Sequence, residues 1–124
     1  MGAAHEVLVV DDDQSLRLLC RVNLELDGHT VNEAATLDGA RAVLSERADR
    51  VELVLLDVHV GAENGLTLLN ELERDRPELP VVLLTGESGL PPDARGNARH
   101  VLSKPFDISE LSRMVERLTT RARP

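Results

Sequence analysis

Aromatic side chains are almost absent from the 124-residue sequence, which has one phenylalanine, Phe106, and neither tryptophan nor tyrosine. A hydrophobic core must therefore come from leucine, valine and alanine, and an apolar fraction of 42% allows one in a single domain of this length. The lone cysteine, Cys20, excludes an internal disulfide and suits a reducing compartment. We therefore expect a cytoplasmic protein, with Cys20 as a small core residue.

Long apolar runs and an excess of basic charge are also missing. No run approaches the roughly 18 apolar residues that a membrane-spanning helix needs, and no signal-peptide pattern opens the chain. Lysine and arginine number 14 against 22 aspartates and glutamates, a formal net charge of −8. Because nucleic acids and anionic membranes repel such a surface, we expect neither as a direct partner.

Four short apolar runs end at polar residues. The runs and the residues that follow them are 7–10 before Asp11, Asp12 and Asp13, 53–56 before Asp57, 81–84 before Thr85, and 101–102 leading through Ser103 to Lys104. Apolar runs without polar alternation are typical of strands buried on both faces of a parallel sheet. Since parallel strands end at the same edge, where α/β sheets bind ligands, we expect these polar side chains to converge.

Strand and helix patterns alternate along the rest of the chain. The sequence predicts strands over about 6–10, 29–33, 51–57, 80–85 and 100–103, and helices over about 14–27, 36–48, 66–75 and from 107 onwards. In the first helix Leu16, Leu19, Val22 and Leu26 recur at helical spacing. The glycine- and proline-rich segment 86–99 predicts a loop rather than a core-facing helix.

This alternation predicts the α/β fold class: a flavodoxin-like, doubly wound, five-stranded parallel sheet of order 2-1-3-4-5. The helix between strands 4 and 5 is expected to be short or absent. We expect one domain over 1–124, with its core at about 5–120.

Carboxylates gathered at one sheet edge repel each other unless a cation is present. Mg²⁺ prefers oxygen ligands and is commonly shared with phosphate, so the acidic cluster predicts a magnesium site. Asp57 can then remain anionic and attack phosphorus, as carboxylates do in aspartyl-phosphate chemistry. Thr85 would supply a hydroxyl and Lys104 a positive charge to the phosphoryl oxygens. Each residue alone has an ordinary explanation, such as helix capping, but their joint placement at strand ends favours the functional interpretation.

The combined motifs closely resemble the receiver domains of two-component response regulators, over about residues 5–120. The matching segments are Val-Asp-Asp-Asp at 10–13, Leu-Leu-Asp at 55–57, Asn-Gly at 64–65, Leu-Leu-Thr-Gly at 83–86 and Ser-Lys-Pro-Phe at 103–106. The resemblance implies that Asp57 is the phosphoacceptor, that Asp12 ligates Mg²⁺ directly, and that Asp11 ligates it through water. It further implies the carbonyl of His59 as a backbone ligand. Thr85 and Lys104 would be the phosphate-sensing residues, with a cis peptide after Lys104.

The resemblance also implies partners. A sensor histidine kinase or a phosphotransfer protein would supply the phosphoryl group, and phosphorylation would change binding of a downstream protein partner. The chain would be no enzyme beyond promoting its own Mg²⁺-dependent phosphorylation and dephosphorylation. It would be either a stand-alone receiver or part of a hybrid kinase or larger regulator.

Some positions depart from the family pattern. Gly61 stands where the family usually has proline, which loosens the loop after the acceptor, and Val101 stands where an aromatic switch residue is usual. The missing aromatic residue, the short 86–99 segment and the Thr85-Gly86 pair after strand four resemble a stand-alone group of receivers with a reduced fourth helix and no aromatic switch. In such a protein we expect phosphorylation to order 86–99. His59 and Glu87 would flank the phosphoryl group and set its lifetime, or would simply be exposed loop side chains.

Two other functions remain as alternatives. A receiver-like interaction module would signal without phosphorylation, which the absence of an aromatic residue at Val101 favours and the complete acidic site disfavours. A phosphohydrolase with an aspartate nucleophile would need an acid two residues after Asp57, where this sequence has His59.

Overall fold

The computed structural model describes residues 6–86 and 100–120. Its strands are β1 (Glu6–Val10), β2 (Thr30–Ala34), β3 (Val51–Asp57), β4 (His59–Val60), β5 (Glu63–Asn64), β6 (Val81–Thr85) and β7 (His100–Ser103). Its helices are α1 (Gln14–Leu26), α2 (Leu37–Glu46), α3 (Leu66–Asp75) and α4 (Ile108–Thr120). Within the described ranges, no helix is long and apolar enough to cross a bilayer.

Five strands form one parallel sheet in the order β2-β1-β3-β6-β7. This order is the predicted 2-1-3-4-5, because the two remaining strands, β4 and β5, pair only with each other as a small antiparallel hairpin. The sequence prediction missed this hairpin and placed β2 one residue too early. The prediction of a short or absent helix between the fourth and fifth strands of the sheet falls on 87–99, outside the described residues.

The sheet buries apolar side chains on both faces. Alternate residues of β1 point to opposite sides, so Leu8 and Val10 pack with α2 and α3, whereas Val7 and Val9 pack on the α1 and α4 side. Cys20 is fully buried in the apolar cluster on the α1 and α4 side of the sheet, as predicted. Burial raises the pKa of its thiol to about 11, so it stays protonated and unreactive at neutral pH.

Helix α1 buries a different face from the one that helical spacing indicated. Cys20 and Leu24 are its buried residues, with Leu16 partly buried on the same side. The other three residues of the expected stripe are exposed, and so is Leu18: the exposures are Leu18 58%, Leu19 44%, Val22 48% and Leu26 80%. Because apolar residues cover more than one side of this helix, spacing alone does not select the side that contacts the sheet.

Candidate functional site

The strand ends converge as the sequence predicted. Asp11 follows β1, Asp57 ends β3, Thr85 ends β6 and Lys104 follows β7, all at the carboxyl edge of the sheet. The side chains of Asp11, Asp57 and Thr85 are buried, whereas Asp12 is exposed. Carboxylate oxygens of Asp11, Asp12 and Asp57 lie within 4.8 Å of one another. The acidic cluster therefore exists in three dimensions and opens to solvent at Asp12.

Lys104 joins two of these carboxylates. Its Nζ lies 2.8 Å from Oδ2 of Asp57 and 2.9 Å from Oδ2 of Asp11. The backbone N–H of Lys104 donates to the carbonyl of Thr85 at 2.7 Å, which extends the β6–β7 pairing by one residue and brings Lys104 beside Thr85. The peptide between Lys104 and Pro105 is cis, as the family resemblance implied. Lys104 is also the only lysine in the sequence.

Burial and pairing shift the ionisation of these groups. Burial raises the pKa of Asp11 above its ordinary value, and the nearby charge of Asp57 adds to this, against the opposing bonds from the Asp13 N–H and Lys104. For Lys104, burial acts to lower the pKa, but the hydrogen bonds to Asp57 and Asp11 outweigh it and the pKa is raised. The ammonium is therefore firmly charged, and it neutralises part of the acidic cluster.

The backbone after β3 fixes the second oxygen of the Asp57 carboxylate. Its Oδ1 accepts a hydrogen bond from the N–H of His59 at 3.1 Å, while the His59 side chain is exposed. The N–H of Gly65 donates to the carbonyl of Val58 at 2.7 Å and closes the loop. A Cβ at position 65 would overlap the carbonyl oxygen of Asp57, so this close approach requires glycine.

The tip of the same loop is tied to two helices. Oε1 of Glu63 accepts from the N–H of Leu37 at 3.1 Å, in the first turn of α2, where the helix dipole favours a carboxylate. Oδ1 of Asn64 accepts from the N–H of Leu66 at 3.0 Å, at the start of α3. These bonds, with the β4–β5 hairpin, hold the loop in which Gly61 replaces the usual proline.

Sequence reasoning did not single out Arg17, which contacts the backbone of the acidic cluster. Its Nη1 donates to the carbonyl oxygen of Asp11 at 2.7 Å, and its Nε donates to Oε1 of Glu33 at 2.9 Å. The available signal was an arginine in the first turns of α1, where the helix dipole disfavours a cation.

The donor set fits Mg²⁺ on chemical grounds. It consists of carboxylate oxygens, two of them on buried residues and one on the exposed Asp12. Mg²⁺ binds few protein carboxylates and keeps several waters, which a cluster open on one side permits. The ligand roles of Asp11, Asp12, Asp57 and the His59 carbonyl stay predictions.

Two further positions were singled out in the sequence. The Val101 position is partly buried in β7, paired with Leu83, and Glu87 lies outside the described residues.

A flavodoxin-like sheet with an acidic cluster and a lysine at its carboxyl edge is the arrangement that the sequence led us to expect of a receiver domain. The chain matches the response regulator receiver domain over residues 7–116 and belongs to that family, which serves two-component signal transduction.

Individual relatives agree with this assignment. The chain is 32% identical to the C4-dicarboxylate transport transcriptional regulatory protein DctD of Rhizobium meliloti, over 99% of this chain and 27% of the relative. It is 34% identical to the nitrogen assimilation regulatory protein NtrX of Azorhizobium caulinodans, over 92% of this chain and 26% of the relative. The crystal structure of the receiver domain of NtrX from Brucella abortus is similar, with a TM-score of 0.81 and 33% identity, covering 94% of this chain and 99% of that one. The chain thus spans about a quarter of the length of the full-length relatives named.

Proposed function

We propose that this receiver domain accepts a phosphoryl group on Asp57, with Mg²⁺, from a sensor histidine kinase or a phosphotransfer protein in the cytoplasm. Phosphorylation then changes binding of a downstream protein partner, and the chain has no other enzymatic activity. One observation carries the proposal: the Asp57 carboxylate lies within reach of Asp11 and Asp12 and is joined to Asp11 through Lys104.

The contacts of Asp57 suit a positioned nucleophile. Its two oxygens are held separately, Oδ1 by the N–H of His59 and Oδ2 by Lys104, so the carboxylate enters the reaction already oriented. One of these oxygens attacks phosphorus of the donor phosphohistidine. The P–N bond breaks, its electron pair stays with the departing imidazole nitrogen, and an acyl phosphate forms.

The remaining residues neutralise charge on the transferred group. Lys104 moves its hydrogen bond from the carboxylate to a phosphoryl oxygen, and the hydroxyl of Thr85 donates to another. When bound, Mg²⁺ would supply positive charge to the phosphoryl oxygens, and Asp11, Asp12, Asp57 and the His59 carbonyl would hold it. Asp11 and Asp57 are buried, so bulk solvent screens their charges less, which strengthens these interactions.

The exposed apolar face of α1 supports a protein as the phosphoryl donor. Leu18, Leu19, Val22 and Leu26 are all more than two-fifths exposed, an unusual set for one short helix. The helix begins directly after Asp13, so a donor protein packed along it would lie beside the acidic cluster.

Incubation with acetyl phosphate and Mg²⁺, followed by intact-mass measurement, tests the proposal. We expect the mass of one phosphoryl group to be added to the wild type and nothing to Asp57→Asn, with the addition abolished by EDTA. Hydrolysis of acetyl phosphate without an accumulating adduct would indicate a phosphohydrolase. If neither an adduct nor hydrolysis is detected, the result would favour the alternative function, an interaction module that signals without phosphorylation. The valine at position 101 favours this alternative.

A further inference from the structure

Arg17 connects three elements next to the acidic cluster. Its guanidinium bonds the carbonyl oxygen of Asp11 after β1 at 2.7 Å and Oε1 of Glu33 on β2 at 2.9 Å. The side chains are mostly buried, with exposures of 14% for Arg17 and 24% for Glu33. A guanidinium is suited to this task because its donors form a rigid fork that reaches two acceptors at once.

The contact fixes a peptide plane that leads into the acidic cluster. The N–H of Asp11 donates to the carbonyl of Ala34 on β2 at 3.1 Å, so Arg17 and Ala34 hold the two sides of this residue. Because the peptide bond is planar, fixing the Asp11 carbonyl also fixes the backbone nitrogen and Cα direction of Asp12. The bond from Arg17 therefore constrains the backbone from which both carboxylates extend.

We propose that Arg17, anchored by Glu33, is a positioning residue that orients Asp11 and Asp12 for a divalent cation. It acts through the backbone of Asp11 and does not touch the ion. This inference rests on the proposed Mg²⁺-dependent function of the same site. Arrangements that orient metal ligands from outside typically contribute about 10- to 100-fold to metal affinity.

Arg21 offers a matched control on the same helix. Its Nη1 donates to the other oxygen of Glu33, Oε2, at 2.9 Å, and its Nε donates to Glu25 at 3.2 Å. Its bonds in the structure thus go to Glu33 and Glu25 and not to the backbone of Asp11. Arg17→Gln and Arg21→Gln each remove one positive charge and one bond to Glu33, but only Arg17→Gln releases the Asp11 carbonyl.

The direction of the effect separates positioning from electrostatics. Loss of a positive charge near an acidic cluster by itself strengthens cation binding, because less repulsion opposes the ion. Loss of ligand orientation weakens it. We therefore expect Arg17→Gln to weaken Mg²⁺ binding about 10-fold, and Arg21→Gln to change it by less than about 2-fold. Arg17→Lys keeps the charge but cannot span both acceptors, and it should also weaken binding.

Calorimetric titration of the full chain with MgCl₂, together with urea unfolding of each variant, tests the inference. Weaker binding in a folded Arg17→Gln, with Arg21→Gln unchanged, supports it. Equal affinities in the two variants, or tighter binding in Arg17→Gln, overturn it. If Arg17→Gln fails to fold, Glu33→Gln replaces it, since this variant keeps Arg17 and weakens its anchor. Glu33→Gln also weakens the bond from Arg21, and Arg21→Gln controls for that loss. An unchanged affinity in Glu33→Gln then overturns the inference. A wild type that binds no Mg²⁺ rejects the proposed function itself.

Discussion

Replacing Lys104 by methionine keeps the aliphatic stem of the side chain and removes the ammonium between Asp11 and Asp57. Unit charges at the observed 2.8 and 2.9 Å attract by about 6 kcal/mol each at an effective dielectric constant of about 20. Desolvation offsets most of this attraction, and removing one partner of a buried pair typically costs about 3–5 kcal/mol. Because the Lys104 side chain retains 28% exposure, we expect the lower end, a loss of about 3 kcal/mol at neutral pH without Mg²⁺.

The loss should depend on pH in a defined direction. Burial already holds the folded-state pKa of Asp11 above its ordinary 3.8. Protonated Asp11 therefore stabilises the fold, and this contribution disappears as the pH rises through the folded-state pKa. Without Lys104, Asp57 repels an ionised Asp11 more strongly, so the deficit of the variant should be largest at neutral pH and should shrink towards acid pH.

Urea unfolding followed by far-UV circular dichroism measures these differences, since the sequence has no tryptophan for fluorescence. Adding Asp11→Asn to Lys104→Met should recover part of the stability, because only one buried carboxylate then remains without its cation. Mg²⁺ should stabilise Lys104→Met more than the wild type, because in the variant the ion does not compete with an ammonium group for the carboxylates. The reasoning would be refuted if Lys104→Met alone is as stable as the wild type. It would also be refuted if neither Asp11→Asn nor Mg²⁺ reduces the loss of unfolding free energy in Lys104→Met.

Two further predictions concern the backbone beside Asp57 and the opposite edge of the sheet. Gly65→Ala should lower the free energy of unfolding by about 1–3 kcal/mol, because the added methyl overlaps the Asp57 carbonyl. Gly86→Ala has open space around the new methyl and should change the free energy by less than about 0.5 kcal/mol in the same urea assay. Glu6→Gln should cost about 1–2 kcal/mol at neutral pH, since Arg47 bonds both oxygens of Glu6. The bond from Arg47 lowers the pKa of Glu6 below its ordinary 4.5, so the contribution is present above that pH and lost as the pH falls through the folded-state pKa. A difference from wild type that persists at low pH would contradict this assignment.

The sheet and its functional edge were predictable because strand ends carry a strong local signal. Apolar runs that stop at Asp11, Asp57 and Thr85 fix both the strand and its direction, and parallel pairing then brings their ends together. The β4–β5 hairpin was not predictable, since strands of two residues are too short to show any periodicity.

Hydrogen bonds between side chains and the backbone could not be predicted from the sequence either. The bonds from Arg17 to the Asp11 carbonyl and from the Leu37 N–H to Glu63 join residues whose spacing has no recognisable pattern. Helix α1 shows another limit, since periodicity identified the helix but its contact with the sheet decided which leucines are buried. The roles of the site residues, as distinct from their positions, stay predictions until the phosphorylation and Mg²⁺ assays are done.

Apart from Lys104, all the lysine and arginine residues of the chain are arginines, so the acidic cluster holds the one side-chain primary amine. Lysine labelled with nitrogen-15 would consequently give a single ammonium resonance, free of overlap, that senses each ion or phosphoryl group entering the site. Acylation of this one side-chain amine would remove the ammonium that the proposed phosphoryl transfer needs, and its pairing with two carboxylates should make that acylation slow.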